Sequence, residues 1–164
     1  MAIQFNADEI LGIAEGIEKN GQAFYRRAAE VAKEEGLEKL FLELADWEAG
    51  HEKLFAQMRA GITDEERSST AFDPEGESEL YLRATADAHV FVANKDAAAL
   101  IKGKESGEEI LRLALDFERD SILFFLGMRD MVPARLGADK VDEIVKEEMR
   151  HVAYLTQQLG ILGK

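Results

Sequence analysis

The sequence predicts an all-α chain, a four-helix bundle with one long crossover carrying a short extra helix between two helix pairs. Three observations carry this reading. Four long stretches place their apolar residues alternately four and three positions apart, which is the period of one helix face. Only two prolines occur in 164 residues, and 46% hydrophobic against 32% charged content is the balance of a folded helical chain. No segment alternates with the period of a strand. The length suits one domain, residues 1–164, with a sizeable core.

The first helix is expected from a cap at Asn6 or Asp8 to about Glu35, on the seam Ile10, Ala14, Ile17, Gly21, Phe24, Ala28, Val31. Asn20-Gly21 normally signals a turn, but the seam stays in phase across it, so the helix continues. A glycine there costs about 1 kcal/mol against alanine, which close approach of a neighbouring helix can offset. Gly36 breaks the chain, and a second helix spans about Leu37 to Arg59 on Leu37, Phe41, Leu44, Glu48, His51, Phe55 and Met58. Residues Gly61 to Gly76, with Pro74, read as loop. Ser78 to about Asn94 reads as a shorter helix with Leu80, Ala84, Ala88 and Phe91 on one face, and Asp96 to Lys102 as a further helical turn or two.

The third long helix is expected from Ser106 to Val132, on Ile110, Ala114, Phe117, Ser121, Phe124, Met128 and Met131, ending where Pro133 disfavours the helical region for the residue before it. The fourth runs from about Ala138 to Leu159, with Val141, Ile144, Glu148, His151 and Leu155 inward and Gly160 as a stop.

A net charge of −13 disfavours nucleic acid and anionic membrane surfaces as partners, because both select a basic face. No cysteine is present, which excludes disulfides, thiolate nucleophiles and iron–sulfur clusters within this chain. The first residues show no basic region followed by an apolar run, and no stretch of 18 apolar residues occurs, so a cytoplasmic protein without a membrane span is expected.

The chemistry lies in a doubled motif. Glu18 is followed 30 residues on by Glu48, which opens a Glu-x-x-His step ending at His51. At an offset of 100 the pattern recurs as Glu118, Glu148 and His151, and Phe24-Tyr25 recurs as Phe124-Phe125. Two of the three histidines of the chain belong to this motif. Glu48, His51, Glu148 and His151 occupy seam positions, and Glu18 and Glu118 sit at the seam's edge. Four carboxylates in one core would cost many kcal/mol unless neutralised. Two divalent cations with two neutral imidazoles provide that neutralisation. A glutamate three residues before a histidine shares its helix face, so both reach one metal pair. Carboxylate and imidazole without sulfur favour iron, or manganese or a mixed pair, over structural zinc. The candidate site is therefore Glu18, Glu48, His51, Glu118, Glu148 and His151, with the metal pair as the reactive centre.

Other residues receive blander readings. Glu15, Glu43 and Glu52 read as surface glutamates, and His89 as a structural histidine. Tyr25, two turns from Glu18, reads as packed, with a hydrogen bond beside the metal site or a radical as its functional alternatives. Trp47 reads as core or interface rather than electron relay.

With these residues in place, the chain resembles the ferritin-like domain of the rubrerythrin family over essentially its whole length. The resemblance implies a non-haem di-iron site held by the same six residues, with Glu48 and Glu148 bridging. It also implies peroxide reduction fed by an external electron donor such as a rubredoxin-type protein. The chain departs from the family pattern in lacking the four-cysteine rubredoxin domain. It also lacks a further ligand near Glu118, where Leu115 and Ser121 stand; Glu15 is the nearest substitute. Ferritin-like iron oxidation and handling, or a structural metal-binding bundle, are the alternatives. A crossover too long for a tight connection suggests a homodimer.

Overall fold

The first helix, α1, spans Ala7–Val31 and opens on a reciprocal cap: Asn6 Oδ1 accepts from the Glu9 backbone, and Glu9 accepts from the Asn6 backbone. A computed structural model describes residues 6–68, 76–88 and 96–163. Helix α1 ends four residues short of the expected Glu35, and beyond its end the Glu34 carboxylate accepts the Gly107 N–H at 3.0 Å. Gly36, at φ 86, turns the chain into α2 (Leu37–Ala60). Arg59 near the end of α2 pairs with Asp8 at the start of α1, so the two helices are antiparallel.

After α2 the expected loop contains one short helix, α3 (Asp64–Ser68), nucleated by Thr63 and Glu66 capping each other. Arg135, in the connection that precedes the last long helix, binds both Glu66 and the Gly61 carbonyl and so ties this end of the bundle together. The shorter helix, α4, is Glu77–Ala88; the rest of the span expected to Asn94, with His89 and Phe91, and Pro74 in the preceding loop, lie outside the described residues. Its inward face differs from expectation. Leu82 and Ala86 are buried, whereas Leu80 and Ala84 face solvent. Apolar residues fall on several sides of this short helix, and the side that packs is chosen by Tyr81, whose hydroxyl donates to the Leu123 carbonyl. The turn expected at Asp96–Lys102 is a 3₁₀ turn, Ala97–Leu100, capped by Asp96 and packed on α1.

Helix α5 (Gly107–Met128) begins with a Ser106–Glu109 capping box and passes into a 3₁₀ turn ending at Met131, before Pro133. Helix α6 spans Ala138–Leu162 and runs through Gly160, the expected stop. Glycine ends a helix efficiently when the chain there turns left-handed. Here the helix simply continues to Gly163, whose N–H bonds back to the Leu159 carbonyl.

The four long helices enclose one core. Ile10, Ala14, Ile17, Phe24, Phe41, Leu44, Phe55, Ala114, Phe117, Phe124 and Leu155 are all buried. No strand occurs among the described residues, and no helix there is long and apolar enough to cross a membrane.

Candidate metal centre

Each long helix delivers polar groups to the same depth of the core. Glu18 comes from α1, Glu48 and His51 from α2, Glu118 from α5, and Glu148 and His151 from α6. All four glutamates are fully buried, and the two histidines are at most 5% exposed. The doubled motif is thus one cluster. It divides into two groups whose ligating atoms lie within 4.8 Å of one another: Glu18, Glu48, His51 and Glu148, and Glu48, Glu118, Glu148 and His151. Glu48 and Glu148 belong to both, the position required of bridging residues. Glu15 belongs to neither and lies beside Arg59, 3.6 Å from its guanidinium.

The atoms converge without satisfying one another. His51 Nδ1 is 2.9 Å from Glu148 Oε1 and 3.6 Å from Glu18 Oε2, and His151 Nδ1 is 3.0 Å from Glu148 Oε2. Yet both oxygens of Glu18, Glu48 and Glu148, and Nδ1 of His51, lack a hydrogen-bond partner. Close approach without hydrogen-bond alignment gathers these atoms around two common points instead of pairing them off. Buried polar atoms left this way are rare and costly. Four carboxylates and two imidazoles around such points fit a pair of divalent metal ions.

The electrostatics agree. Burial, aided by neighbouring carboxylates, pushes Glu18 and Glu48 well above the usual carboxylate range. Glu118 rises to about 8, through burial first and Glu148 next, against the pull of His151. Glu148 goes the other way: burial opposes ionisation, but contacts with Glu118, His151 and His51 hold it below the usual range. Burial works against charging the imidazoles, yet Glu148 carries His51 to about 10, and Glu118 with Glu148 carries His151 to about 10. Without metal, the centre therefore holds protons at neutral pH, and a metal pair must displace them.

Packing around the centre is tight. A Cβ added at Gly21 would stand 2.9 Å from Phe117 and 3.0 Å from Glu48, so this glycine lets α1 close on the site as its seam position suggested. Ser121, its counterpart at offset 100, is buried. Tyr25 is fully buried, packs on Phe24, Phe41 and Phe117, and donates its hydroxyl to Glu118. The packed and hydrogen-bonded readings of Tyr25 thus hold together. Burial and the adjacent Glu118 push its phenol well above its ordinary value.

Trp47 overturns the core reading. The residue is 48% exposed, and its ring lies nearly parallel to the His151 imidazole, with centroids 4.7 Å apart and planes 8° from coplanar. A residue that the sequence did not single out completes the surroundings: Glu147 Oε2 lies 2.6 Å from His51 Nε2. Among so many helix-surface glutamates no periodicity marks it. The one available signal was that Glu147 and Trp47 occupy equivalent positions of the doubled motif and differ.

Four long helices closing on two buried Glu/Glu-x-x-His half-sites define a ferritin-like dimetal carboxylate bundle. The chain matches the rubrerythrin family over residues 9–157 and belongs to that family. Among solved structures it is similar to a candidate ferritin-like diiron-carboxylate protein from Thermotoga maritima, at 26% identity and a TM-score of 0.68, with 95% of each chain covered. No protein of curated function matches the chain.

Proposed function

We propose that this protein is a non-haem di-iron oxidoreductase that reduces peroxide with electrons from an external donor, such as a rubredoxin-type protein, and acts as a cytoplasmic homodimer. The observation that carries the reading is the cluster of unsatisfied, fully buried carboxylate oxygens around Glu48 and Glu148. An iron pair bound there would supply the two electrons that, with two protons, convert hydrogen peroxide to two waters. Glu48 and Glu148 would bridge the metals; Glu18 with His51, and Glu118 with His151, would complete either end. The family and the carboxylate-rich donor set support iron, with manganese or a mixed pair as chemically admissible substitutes.

The chain's own residues shape the rest of the reaction. Tyr25 keeps an O–H directed at Glu118, holding a proton beside the metal site. The phenylalanines around it, Phe24, Phe41 and Phe117, keep bulk water from that flank. Because the chain contains no cysteine, it carries no thiolate-bound iron centre to return electrons to the site.

The test is to reduce the iron-loaded protein anaerobically, add hydrogen peroxide and follow the absorbance of the oxidised iron. The expected result is fast, stoichiometric reoxidation, with turnover only when a donor is added. His51→Ala and His151→Ala should slow this far more than they disturb the fold. Reoxidation no faster than that of free ferrous iron defeats the oxidoreductase reading.

One observation favours a second reading, iron oxidation and handling. A surface depression of about 280 Å³ that reaches His51 is lined by three acids, Asp46, Glu143 and Glu147, against one base, Lys140, giving cations a net acidic approach to the site. Uptake of iron far above two ions per chain would select it.

A further inference from the structure

The two half-sites are matched in their six central residues and mismatched in what touches the outer side of each histidine. The positions at issue are 47 and 147, each directly before the shared glutamate of its helix. Each reaches across to the histidine of the opposite half. Glu147 of α6 meets His51 of α2, and Trp47 of α2 covers His151 of α6.

The consequence for His51 is specific. Its Nδ1 faces the cluster, and its Nε2 faces Glu147 at 2.6 Å, a short charge-assisted contact. The other Glu147 oxygen is 3.4 Å from Arg150, which steadies the carboxylate. A carboxylate on the outer nitrogen requires N–H there, which leaves Nδ1 with its lone pair facing inward, and it makes that lone pair more basic. His151 also presents Nδ1 to the cluster, 3.0 Å from Glu148 and 3.4 Å from Glu118. Where its partner has a carboxylate, it has an indole face. Stacking holds the ring's plane, but it neither selects the nitrogen that carries the proton nor raises the basicity of Nδ1.

We propose that Glu147 is a positioning residue that fixes His51 as an Nδ1 metal ligand, and that the replacement of this carboxylate by Trp47 at the matching position makes the two metal positions unequal. The position of Glu18 and His51 fills first and more tightly, and that of Glu118 and His151 fills second. This rests on the metal-site part of the proposed function and is independent of what the loaded protein oxidises.

The experiment titrates metal-free full-length protein with Mn²⁺ and follows both binding heat and electron paramagnetic resonance. Wild-type protein should bind two ions in two resolved steps. At one equivalent it should show mainly an isolated Mn²⁺ signal, with the spin-coupled pair appearing during the second. Glu147→Ala should weaken the first step by about 10- to 100-fold, the usual range for a carboxylate behind a histidine ligand, and merge the steps. Glu147→Gln, which keeps an acceptor, should lie between. Trp47→Phe, which keeps a ring on His151, should leave the first step unchanged. Nitrogen NMR of the imidazoles in the zinc-loaded protein should show His51 protonated at Nε2, with that preference weakened in Glu147→Ala. Equal affinities in the wild type, or an unchanged first step in Glu147→Ala, overturn the inequality while leaving a two-metal site standing. Failure to bind two ions overturns both this proposal and the metal-site reading.

Discussion

The half-site of Glu18 and His51 and that of Glu118 and His151 are built from the same residues in the same order, yet they are not chemically equivalent. Tyr25 donates to Glu118, whereas its counterpart at offset 100, Phe125, has no hydroxyl and packs on Phe55 at 5.2 Å between centroids. Glu147 attends His51, and Trp47 attends His151. The bridging positions diverge most. Glu48 is held well above the carboxylate range by burial and the nearby Glu18, whereas Glu148 is held below it by its contacts with both histidines. A repeated sequence fixes where groups converge; the non-repeated residues touching them decide their charge.

The largest expected effect tests that divergence. In metal-free protein at pH 7, Glu148→Gln removes the anion shared by two imidazolium groups, and breaking such a buried pair costs roughly 3–5 kcal/mol. For a chain of this size that lowers Tm by about 10 °C, at about 2–4 °C per kcal/mol. Glu48→Gln replaces a group whose charged form burial and Glu18 already disfavour, and it should change Tm by less than about 3 °C, within the ordinary range of such substitutions. Both variants should lose the metal pair. Equal destabilisation in thermal melts would erase the distinction between the two positions.

A second comparison sets the metal-free against the loaded protein across pH. Glu118 rises from 4.5 to about 8, and both histidines from 6.5 to about 10. Groups raised on folding stabilise below their unfolded values and lose that contribution as pH climbs to the folded ones. Metal-free protein should therefore melt lower at pH 9 than at pH 5.5, by roughly 5 °C or more. Glu148, being depressed, adds a loss only at strongly acidic pH. Bound metal replaces these protons, so the loaded protein should melt higher and with a flatter profile over the same range. A chelated sample with the loaded sample's melting curve would show that the carboxylates do not converge as described.

Gly21→Ala probes the contact that brings α1 against the site. The added carbon meets Phe117 at 2.9 Å and Glu48 at 3.0 Å. Overpacking costs roughly 1–3 kcal/mol, against about 1 kcal/mol regained in helix propensity. A Tm drop of about 2–4 °C with weakened metal binding is expected. The smallest effect belongs to Tyr25→Phe, which makes the first half resemble the second at that position. Loss of one buried hydrogen bond costs about 1 kcal/mol, and the metal step involving Glu118 should shift while that of Glu18 stays in place. If both steps shift alike, Tyr25 is a packing residue and no more.

All six central residues were legible because two independent signals coincide on them. Glu-x-x-His recurs at a fixed offset, and those residues fall on or beside an apolar seam where charge is otherwise excluded. The long helices were legible for the same periodic reason. The misreadings have local causes. Gly160 looks like a terminator, but only a left-handed turn would make it one, and α6 takes none there. Leu80 and Ala84 have the right spacing, but α4 is short enough for one tertiary contact, Tyr81 to Leu123, to choose another face. Glu34, beyond the end of α1, bonds Gly107, a partner 73 residues away that no helical pattern encodes. Glu147 escaped because its importance lies in contact with another helix, and its own helix marks it only as one more acid.

The only tryptophan of the chain is also the residue lying flat on His151. Its emission is therefore uncontaminated by any other indole and originates within van der Waals reach of a single half-site. Whatever changes the protonation or occupancy of that imidazole should change the light the protein gives off, so the centre carries its own optical gauge.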